Sequence, residues 1–117
     1  MMKDFDEWIR KLKKDSKEKL VLVEGIKDKR ALEQLGISNI LTLKKPLYAM
    51  IELIVSSEKD CIILLDLDKA GKKLYGKIIP SLKHFGVRVI DEYRNFLFTT
   101  KLRQIEGIIS YLNKIQP

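Results

Sequence analysis

Four short runs of aliphatic and β-branched residues recur along the chain, and stretches with helical spacing separate them. The runs are KLVLVEG at 19–25, NILTL at 39–43, CIILLD at 61–66 and VRVID at 87–91. Apolar runs of this length are typical of strands buried in a sheet. Because a helical stretch joins each run to the next, we expect the strands to pair in parallel through right-handed crossovers.

The segments around these runs carry the 3.6-residue periodicity of helices. Residues from about 4 to 14 space Phe5, Trp8, Ile9 and Leu12 at helical intervals, which predicts an amphipathic helix with Trp8 in the core. Further helices are expected over KDKRALEQLG with a C-cap at Gly36, from Pro46 onward, over 70–86 with a kink or break at Pro80, and from about 92 to 115. In the last of these, one apolar face is formed by Ile105, Ile108, Ile109 and Leu112.

This alternation predicts an open, Rossmann-like α/β fold with about four parallel strands between layers of helices. Residues 1–18 are expected to form an extra helix packed on a single α/β domain of residues 19–117, since no Gly/Ser/Pro-rich linker divides the chain. Ligands of such folds bind at the carboxyl ends of the strands, near the point where strand order reverses. The residues that follow each strand are therefore the first candidates for a functional site.

Acidic residues follow two of the predicted strands directly. Glu24 ends the first run, and Asp66 and Asp68 end the third, where alternation places both aspartates on one side of the backbone. Converging carboxylates repel one another and need a counter-charge. Other interpretations remain open: Asp68 could serve as a helix cap, Asp28 could cap or begin its helix, and Asp91 could be an ordinary loop residue.

Oxygen ligands without histidine or cysteine favour Mg²⁺, or Mn²⁺ in its place, over zinc. The predicted metal ligands and catalytic residues are therefore Glu24, Asp66 and Asp68. Lysines near these positions could hold a phosphodiester backbone; they are Lys27, Lys69, Lys72 and Lys73.

The composition excludes several other kinds of site. Cys61 is the only cysteine and His84 the only histidine, so a disulfide, a zinc cluster or a Cys-His pair is not expected. Cys61 opens a strand and is expected to be buried and inert. The apolar runs are far shorter than the roughly 20 residues of a membrane-spanning helix. The charged N-terminus lacks the apolar centre of a signal peptide, so we expect a cytoplasmic protein without membrane contact.

The formal net charge of +7 favours polyanionic partners, because bound nucleic acid releases its counterions. Chains rich in lysine and glutamate are also common in thermophiles, where the charges serve solvation and ion pairing. The charge alone therefore raises the expectation of a nucleic-acid partner only modestly.

The sequences VLVEGIKD and IILLDLDKAGKKL resemble the motifs of the Toprim domain, the catalytic module shared by topoisomerases and bacterial primases. That family has a glutamate at the end of one strand and a DxD motif, usually followed by glycine, at the end of a later one. The matching residues here are Glu24, Gly25, Asp66, Asp68 and Gly71. The resemblance covers roughly residues 19 to 91 and is closest to small stand-alone Toprim proteins related to the ribosomal-RNA maturase and to primase Toprim domains.

The resemblance implies that Asp66 and Asp68 coordinate Mg²⁺ and that Glu24 acts as a general base in nucleotide transfer or a general acid in strand cleavage. It also places Gly25 and Gly71 at the cofactor-binding edge. The chain departs from topoisomerases at Lys72, where they usually carry an acidic residue. It also has Lys44-Lys45-Pro46 after the second strand, where many members carry a glycine.

Three functions follow as expectations. The first is Mg²⁺-dependent phosphodiester chemistry on RNA or DNA, of a nuclease-like kind that includes RNA processing. The alternative is a non-catalytic module of the same fold that binds nucleic acid or a protein partner and depends on that partner for chemistry. The third is a phosphatase acting on small molecules, although the Asp-x-Asp of haloacid-type phosphatases usually follows the first strand and not the third.

Overall fold

The computed structural model describes residues 2–115, and its centre is a parallel sheet. The four strands are β1 (Leu20–Val23), β2 (Ile40–Thr42), β3 (Cys61–Ile63) and β4 (Val89–Ile90), in the spatial order β2-β1-β3-β4. In the register, Val21 of β1 lies opposite both Ile40 of β2 and Ile62 of β3, and Cys61 lies opposite Val89. The α/β class and the four parallel strands are as the sequence predicts.

Six α-helices and one 3₁₀ helix surround the sheet within residues 2–115. The α-helices are α1 (Phe5–Asp15), α2 (Ile26–Gln34), α3 (Leu47–Ser57), α4 (Lys69–His84), α5 (Glu92–Leu97) and α6 (Ile108–Ile115), and the 3₁₀ helix covers Ile105–Gly107. None of these helices is long and apolar enough to cross a membrane. Gly36 has a φ of +84° just past α2, as expected of a glycine that ends a helix.

The helices divide between the two faces of the sheet. Helices α1, α2, α5 and α6 pack on the face formed by Val21, Val23, Ile62 and Leu64. Helices α3 and α4 pack on the face formed by Leu22, Cys61, Ile63 and Leu65. The step from β1 to β2 runs in one direction across the sheet and the steps to β3 and β4 run in the other. Because all three crossovers are expected to be right-handed, α2 must lie on one face of the sheet and α3 and α4 on the other.

The order of the strands reverses between β1 and β3, because the chain leaves β1 toward one edge and β3 toward the other. The crevice at the carboxyl ends of these two neighbouring strands is the place where α/β sheets bind ligands. Glu24 follows β1 directly, and Asp66 comes three residues after β3. Both residues therefore lie at the switch point.

The N-terminal helix is part of the core. Trp8 and Leu12 of α1 are fully buried, and the Trp8 indole N–H donates a 2.9 Å hydrogen bond to the Tyr93 carbonyl in α5. Asp4 caps the helix by accepting a 2.9 Å bond from the Glu7 N–H. The core position predicted for Trp8 is confirmed.

The structure corrects two expectations about helix ends. Helix α4 continues past Pro80 to His84, so of the predicted kink or break the break does not occur. The single helix expected from about 92 to 115 is instead divided into α5, an irregular stretch at 98–104, the 3₁₀ turn and α6. The predicted apolar face survives in the second half, where Ile105, Ile108 and Leu112 are buried. The division occurs because residues 102–105 extend along the loop after β3, where the Arg103 carbonyl accepts a bond from the Leu67 N–H.

Candidate metal centre

Three carboxylates meet at the switch point of the sheet. Glu24 follows β1, Asp28 lies in the first turn of α2, and Asp66 lies in the loop after β3. One oxygen of each carboxylate lies within 4.8 Å of an oxygen of each of the others. We call Glu24, Asp28 and Asp66 the acidic cluster. The structure thus brings together two of the three predicted ligands, and it adds Asp28.

Asp28 is fixed by the start of its own helix. Its Oδ2 accepts a 3.1 Å hydrogen bond from the Gly25 N–H, a bond that an acidic residue at the third helical position commonly makes to the N-cap. The side chain is buried, with 6% of its surface exposed. Capping and cluster membership are therefore not alternatives for Asp28, because the same carboxylate does both.

Asp66 is held on both its side chain and its backbone. Its Oδ1 accepts a 2.8 Å bond from the Ile105 N–H at the start of the 3₁₀ turn. Its carbonyl accepts a 3.0 Å bond from Nη2 of Arg94. These bonds use Oδ1 and the backbone carbonyl, and the Asp66 carboxylate also pairs with the side chain of Glu24.

Asp68, the remaining predicted ligand, lies outside the acidic cluster. It is the N-cap of α4, where its Oδ1 accepts a 2.8 Å bond from the Gly71 N–H. Its Oδ2 accepts a 3.3 Å bond from Nε2 of Gln104. The capping interpretation of Asp68 therefore describes its contacts, although its charge still acts on Glu24.

The two glycines of the predicted cofactor edge contact the protein's own backbone and side chains. The Gly25 N–H donates to Asp28, as above. A Cβ atom at Gly71 would lie 2.0 Å from the Asp66 carbonyl oxygen, far closer than any side chain allows. Gly71 therefore lets the first turn of α4 approach the loop that carries Asp66.

Burial and mutual repulsion govern the charge of the acidic cluster. Burial, followed by the neighbouring Asp66 carboxylate, raises the pKa of Glu24 from 4.5 to about 8, and the charges of Asp68 and Asp28 add to the effect. Burial and then the charge of Asp66 raise the pKa of Asp28, while the bond from the Gly25 N–H opposes that rise. Glu24 therefore keeps its proton through neutral pH when no cation offsets its neighbours.

A buried arginine lies beneath the acidic cluster, and nothing in the sequence motifs points to it. Arg94 in α5 is 4% exposed and donates 3.0 Å bonds from Nε to the Leu65 carbonyl and from Nη2 to the Asp66 carbonyl. Its guanidinium carbon lies 4.4 Å from the ring centroid of Tyr75 and 4.9 Å from that of Phe98. Burial lowers the pKa of Arg94, but the charges of nearby acidic groups, Glu24 and Asp66 among them, oppose this. A fixed positive charge thus supports the loop after β3.

The acidic cluster fits the requirements of a magnesium ion. Oxygen ligands at 2.0–2.1 Å in an octahedron lie about 3 Å apart when adjacent and about 4.2 Å apart when opposite. One oxygen of each carboxylate in the acidic cluster lies within 4.8 Å of the others, so a shared ion would require them to move somewhat closer together. An all-carboxylate set suits Mg²⁺ or Mn²⁺ and not zinc.

The predicted nucleic-acid-binding lysines are exposed and stand on two helices beside the acidic cluster. Lys27 neighbours Asp28 on α2, and Lys69, Lys72 and Lys73 occupy the first turns of α4. The Lys72 ammonium lies 5.5 Å from the ring centroid of Phe98, within the range of a cation–π contact. As expected, Cys61 is buried, and burial raises the pKa of its thiol to about 12.

Similar proteins are found in archaea and in a bacterium. A UPF0292 protein of Methanocaldococcus jannaschii is 37% identical over 114 residues, which cover 92% of this chain and 89% of the relative. A UPF0292 protein of Pyrococcus abyssi is 34% identical, over 80% of this chain and 71% of the relative. A solved structure of a protein from Aquifex aeolicus superposes with a TM-score of 0.85 at 34% identity, over 91% of this chain and 99% of that one. No family model matches the chain.

Proposed function

The chain belongs to the UPF0292 family, and we propose that it carries out Mg²⁺-dependent phosphodiester chemistry on nucleic acid, in the manner of a nuclease. The observation that carries this proposal is the meeting of Glu24, Asp28 and Asp66 at the switch point between β1 and β3. Carboxylates at this point of an α/β sheet are placed where such folds bind phosphate-bearing ligands. An all-oxygen set of ligands is the usual choice of a magnesium ion that also binds phosphate.

The resemblance to the Toprim domain supports the proposal. In that family a glutamate after one strand and a DxD motif after a later strand share one catalytic site. Here Glu24 follows β1, Asp66 follows β3, and the two strands are neighbours in a parallel sheet. We therefore propose a stand-alone, Toprim-like enzyme, in which Asp28 joins the predicted pair and Asp68 supports the loop by capping α4.

Each carboxylate has a proposed role in this chemistry. Asp28 and Asp66 would hold the ion, since backbone N–H groups fix both carboxylates within the acidic cluster. Glu24 would transfer a proton, because its carboxyl lies beside both proposed ligands and, in the metal-free protein, burial and the Asp66 carboxylate raise its pKa to about 8. A bound Mg²⁺ would offset the negative charge that develops on the phosphate.

The substrate class is inferred from charge. The net charge of +7 and the exposed lysines on α2 and α4 favour a polyanion next to the acidic cluster. The proposed contacts to the phosphodiester backbone are made by Lys27, Lys69, Lys72 and Lys73.

Cleavage assays with point variants test the proposal. Asp66→Asn and Glu24→Gln are expected to lower the rate of Mg²⁺-dependent cleavage by at least about 100-fold, the scale of a lost acid–base or metal-binding group. Structured RNA, single-stranded RNA and DNA would be tried as substrates. Glu52→Gln, which alters an exposed acid on α3 on the far face of the sheet, is the matched control and should retain full activity. Folding of each variant is checked by circular dichroism, and unchanged cleavage by folded Asp66→Asn and Glu24→Gln would contradict the proposal.

A non-catalytic binding module is the second candidate, and one contact favours it. The Ile105 N–H already occupies Oδ1 of Asp66, so residues 102–105 partly cover the acidic cluster. A module of this kind would bind Mg²⁺ and nucleic acid but turn over neither RNA nor DNA. Calorimetric binding of Mg²⁺ without cleavage at any pH between 6 and 9, a span of roughly one to two units on either side of the proposed acid's pKa, would favour this candidate.

A further inference from the structure

A groove of about 460 Å³ runs between α2 and the segment that contains the 3₁₀ turn and α6. Lys27 and Arg30 lie three residues apart on α2, so both point from the same side of the helix, and both are exposed. Buried Ala31 and half-buried Ile109 form the floor. The groove therefore combines two cations with a partly apolar base.

The far end of the groove is polar and uncharged. Gln34 stands one turn beyond Arg30 on α2, and Asn113 stands on the opposite wall. Side-chain amides both donate and accept hydrogen bonds, so they suit the edges of bases and sugars more than they suit phosphate. The groove is therefore lined by cationic side chains at one end and by side-chain amides at the other.

The cationic end of the groove is continuous with the acidic cluster. Lys27 is the neighbour of Asp28 in sequence, on the exposed side of the helix whose inner side carries that aspartate. Glu106 lines the opposite wall, and its charge is one of those that raise the pKa of Asp28. A phosphate held by Lys27 and Arg30 would therefore lie beside the proposed metal ligands on the α2 side of the acidic cluster.

We propose that this groove binds one unpaired nucleic-acid strand, with a phosphate at Lys27 and Arg30 and the following nucleotide toward Gln34 and Asn113. The inference rests on the proposed function, and it specifies the path by which the strand reaches the acidic cluster. A space of this size matches a nucleotide-sized group. The lining residues include no aromatic ring, so phosphate contacts dominate over base stacking and little sequence preference is expected.

Binding of a fluorescent single-stranded oligonucleotide of about 12 nucleotides tests the groove. The measurement uses the full chain without metal and with EDTA, as a function of salt, with RNA and DNA of the same sequence. Lys27→Ala/Arg30→Ala is expected to weaken binding and to reduce the slope of log affinity against log salt by about 0.7, since each phosphate that is no longer neutralised contributes about 0.7 for single strands. Glu106→Gln, which removes a negative charge from the same groove, is expected to strengthen binding.

Lys59→Ala/Lys83→Ala is the matched control. This variant also removes two positive charges, from exposed lysines that precede β3 and β4. Both lysines lie toward the amino ends of the strands, away from the acidic cluster. If the two double variants lose affinity and slope equally, the groove proposal is overturned, and nucleic-acid binding elsewhere on the surface still stands. If the wild-type chain binds neither oligonucleotide at low salt, the groove proposal is overturned, and the cleavage assays with Mg²⁺ and structured RNA still test the proposed function separately. A loss confined to Lys27→Ala/Arg30→Ala establishes the groove, whether or not cleavage is detected.

Discussion

At the residue scale, the position of Asp66 in the acidic cluster depends most directly on the contact between Gly71 and the Asp66 backbone. The backbone of α4 approaches the Asp66 carbonyl so closely that a methyl group at position 71 would overlap it. The same turn is capped by Asp68, and the Asp66 carbonyl is also bonded by Arg94. The position of the Asp66 carboxylate therefore depends on a glycine, a helix cap and a buried cation acting on one loop.

Gly71→Ala is expected to destabilise the protein by about 3 kcal/mol, the upper end of the usual cost of overpacking. The matched control is Gly76→Ala on the same helix, where an added Cβ meets no atom within 4 Å. That change is expected to stabilise the protein by about 0.5–1 kcal/mol, because alanine favours a helix interior over glycine. Urea unfolding measures both effects. Equal free energies of unfolding for the two variants would contradict the predicted clash between a side chain at position 71 and the Asp66 carbonyl.

The raised pKa of Glu24 predicts a pH-dependent difference in stability between the wild type and Glu24→Gln. A folded pKa of about 8 against an ordinary value of 4.5 means that the folded state holds this proton more tightly. The stability that this tightly held proton contributes to the folded state is thus fully present below about pH 4.5. It is lost as the pH rises through about 8. The free energy of unfolding of the wild type, relative to Glu24→Gln, should fall over this interval.

Added Mg²⁺ should oppose that fall, because a cation favours the ionised cluster. The stabilisation of the wild type by Mg²⁺ is therefore expected to grow with pH, and that of Glu24→Gln much less so. Thermal unfolding at several pH values, with Mg²⁺ and with EDTA, gives both comparisons. A stability difference that does not change between pH 4.5 and 8 would contradict the shifted pKa.

At the scale of elements, α1 and the C-terminal segment complete the face of the sheet that carries α2. Trp8 inserts between them, packing edge-to-face against Tyr93 and bonding to that residue's carbonyl. The Tyr93 hydroxyl in turn donates to Asp15 at the end of α1. Helix α1 is therefore attached at both its middle and its end, and α5, which carries Arg94, is fixed by the same contacts.

Trp8→Ala is expected to cost about 3–5 kcal/mol of stability, as for other large aromatic residues removed from a core. The matched control is Tyr48→Ala in α3, because Tyr48 is 75% exposed and its loss should change stability by no more than about 0.5 kcal/mol. Denaturant unfolding followed by circular dichroism compares the two. A small effect of Trp8→Ala would mean that α1 is only loosely attached.

The sequence was sufficient to predict which elements form, because each strand and most helices carry a local pattern. Gly36 and Asp68 could be assigned to helix ends for the same reason, since caps are local. The break after α5 could not be predicted, because residues 102–105 leave the helical path to bond with a loop that is distant in sequence. Arg94 was missed for the same physical reason: its partners, the carbonyls of Leu65 and Asp66, lie 29 and 28 residues away.

At the scale of the whole molecule, the strand order decides which acidic residues meet. A parallel sheet predicts that Glu24 and Asp66 share an edge, but only the neighbouring positions of β1 and β3 bring them into one cluster. Asp28 belongs to the cluster because α2 begins shortly after β1 and carries this residue in its first turn. Asp68 lies outside the cluster because its side chain caps the start of α4. The exposed lysines and the groove beside α2 then surround the acidic cluster with positive charge on two sides.

Anomalous diffraction from crystals grown with Mn²⁺ locates the metal independently of any substrate. The proposed centre predicts one strong peak within coordination distance of carboxylate oxygens of Asp28 and Asp66, with Glu24 beside it. Asp28→Asn should abolish this peak, while Asp68→Asn, which preserves a helix cap, should leave it in place. No peak at the acidic cluster, or a peak bound through Asp68 without Asp28, would contradict the metal centre on which the proposed function depends.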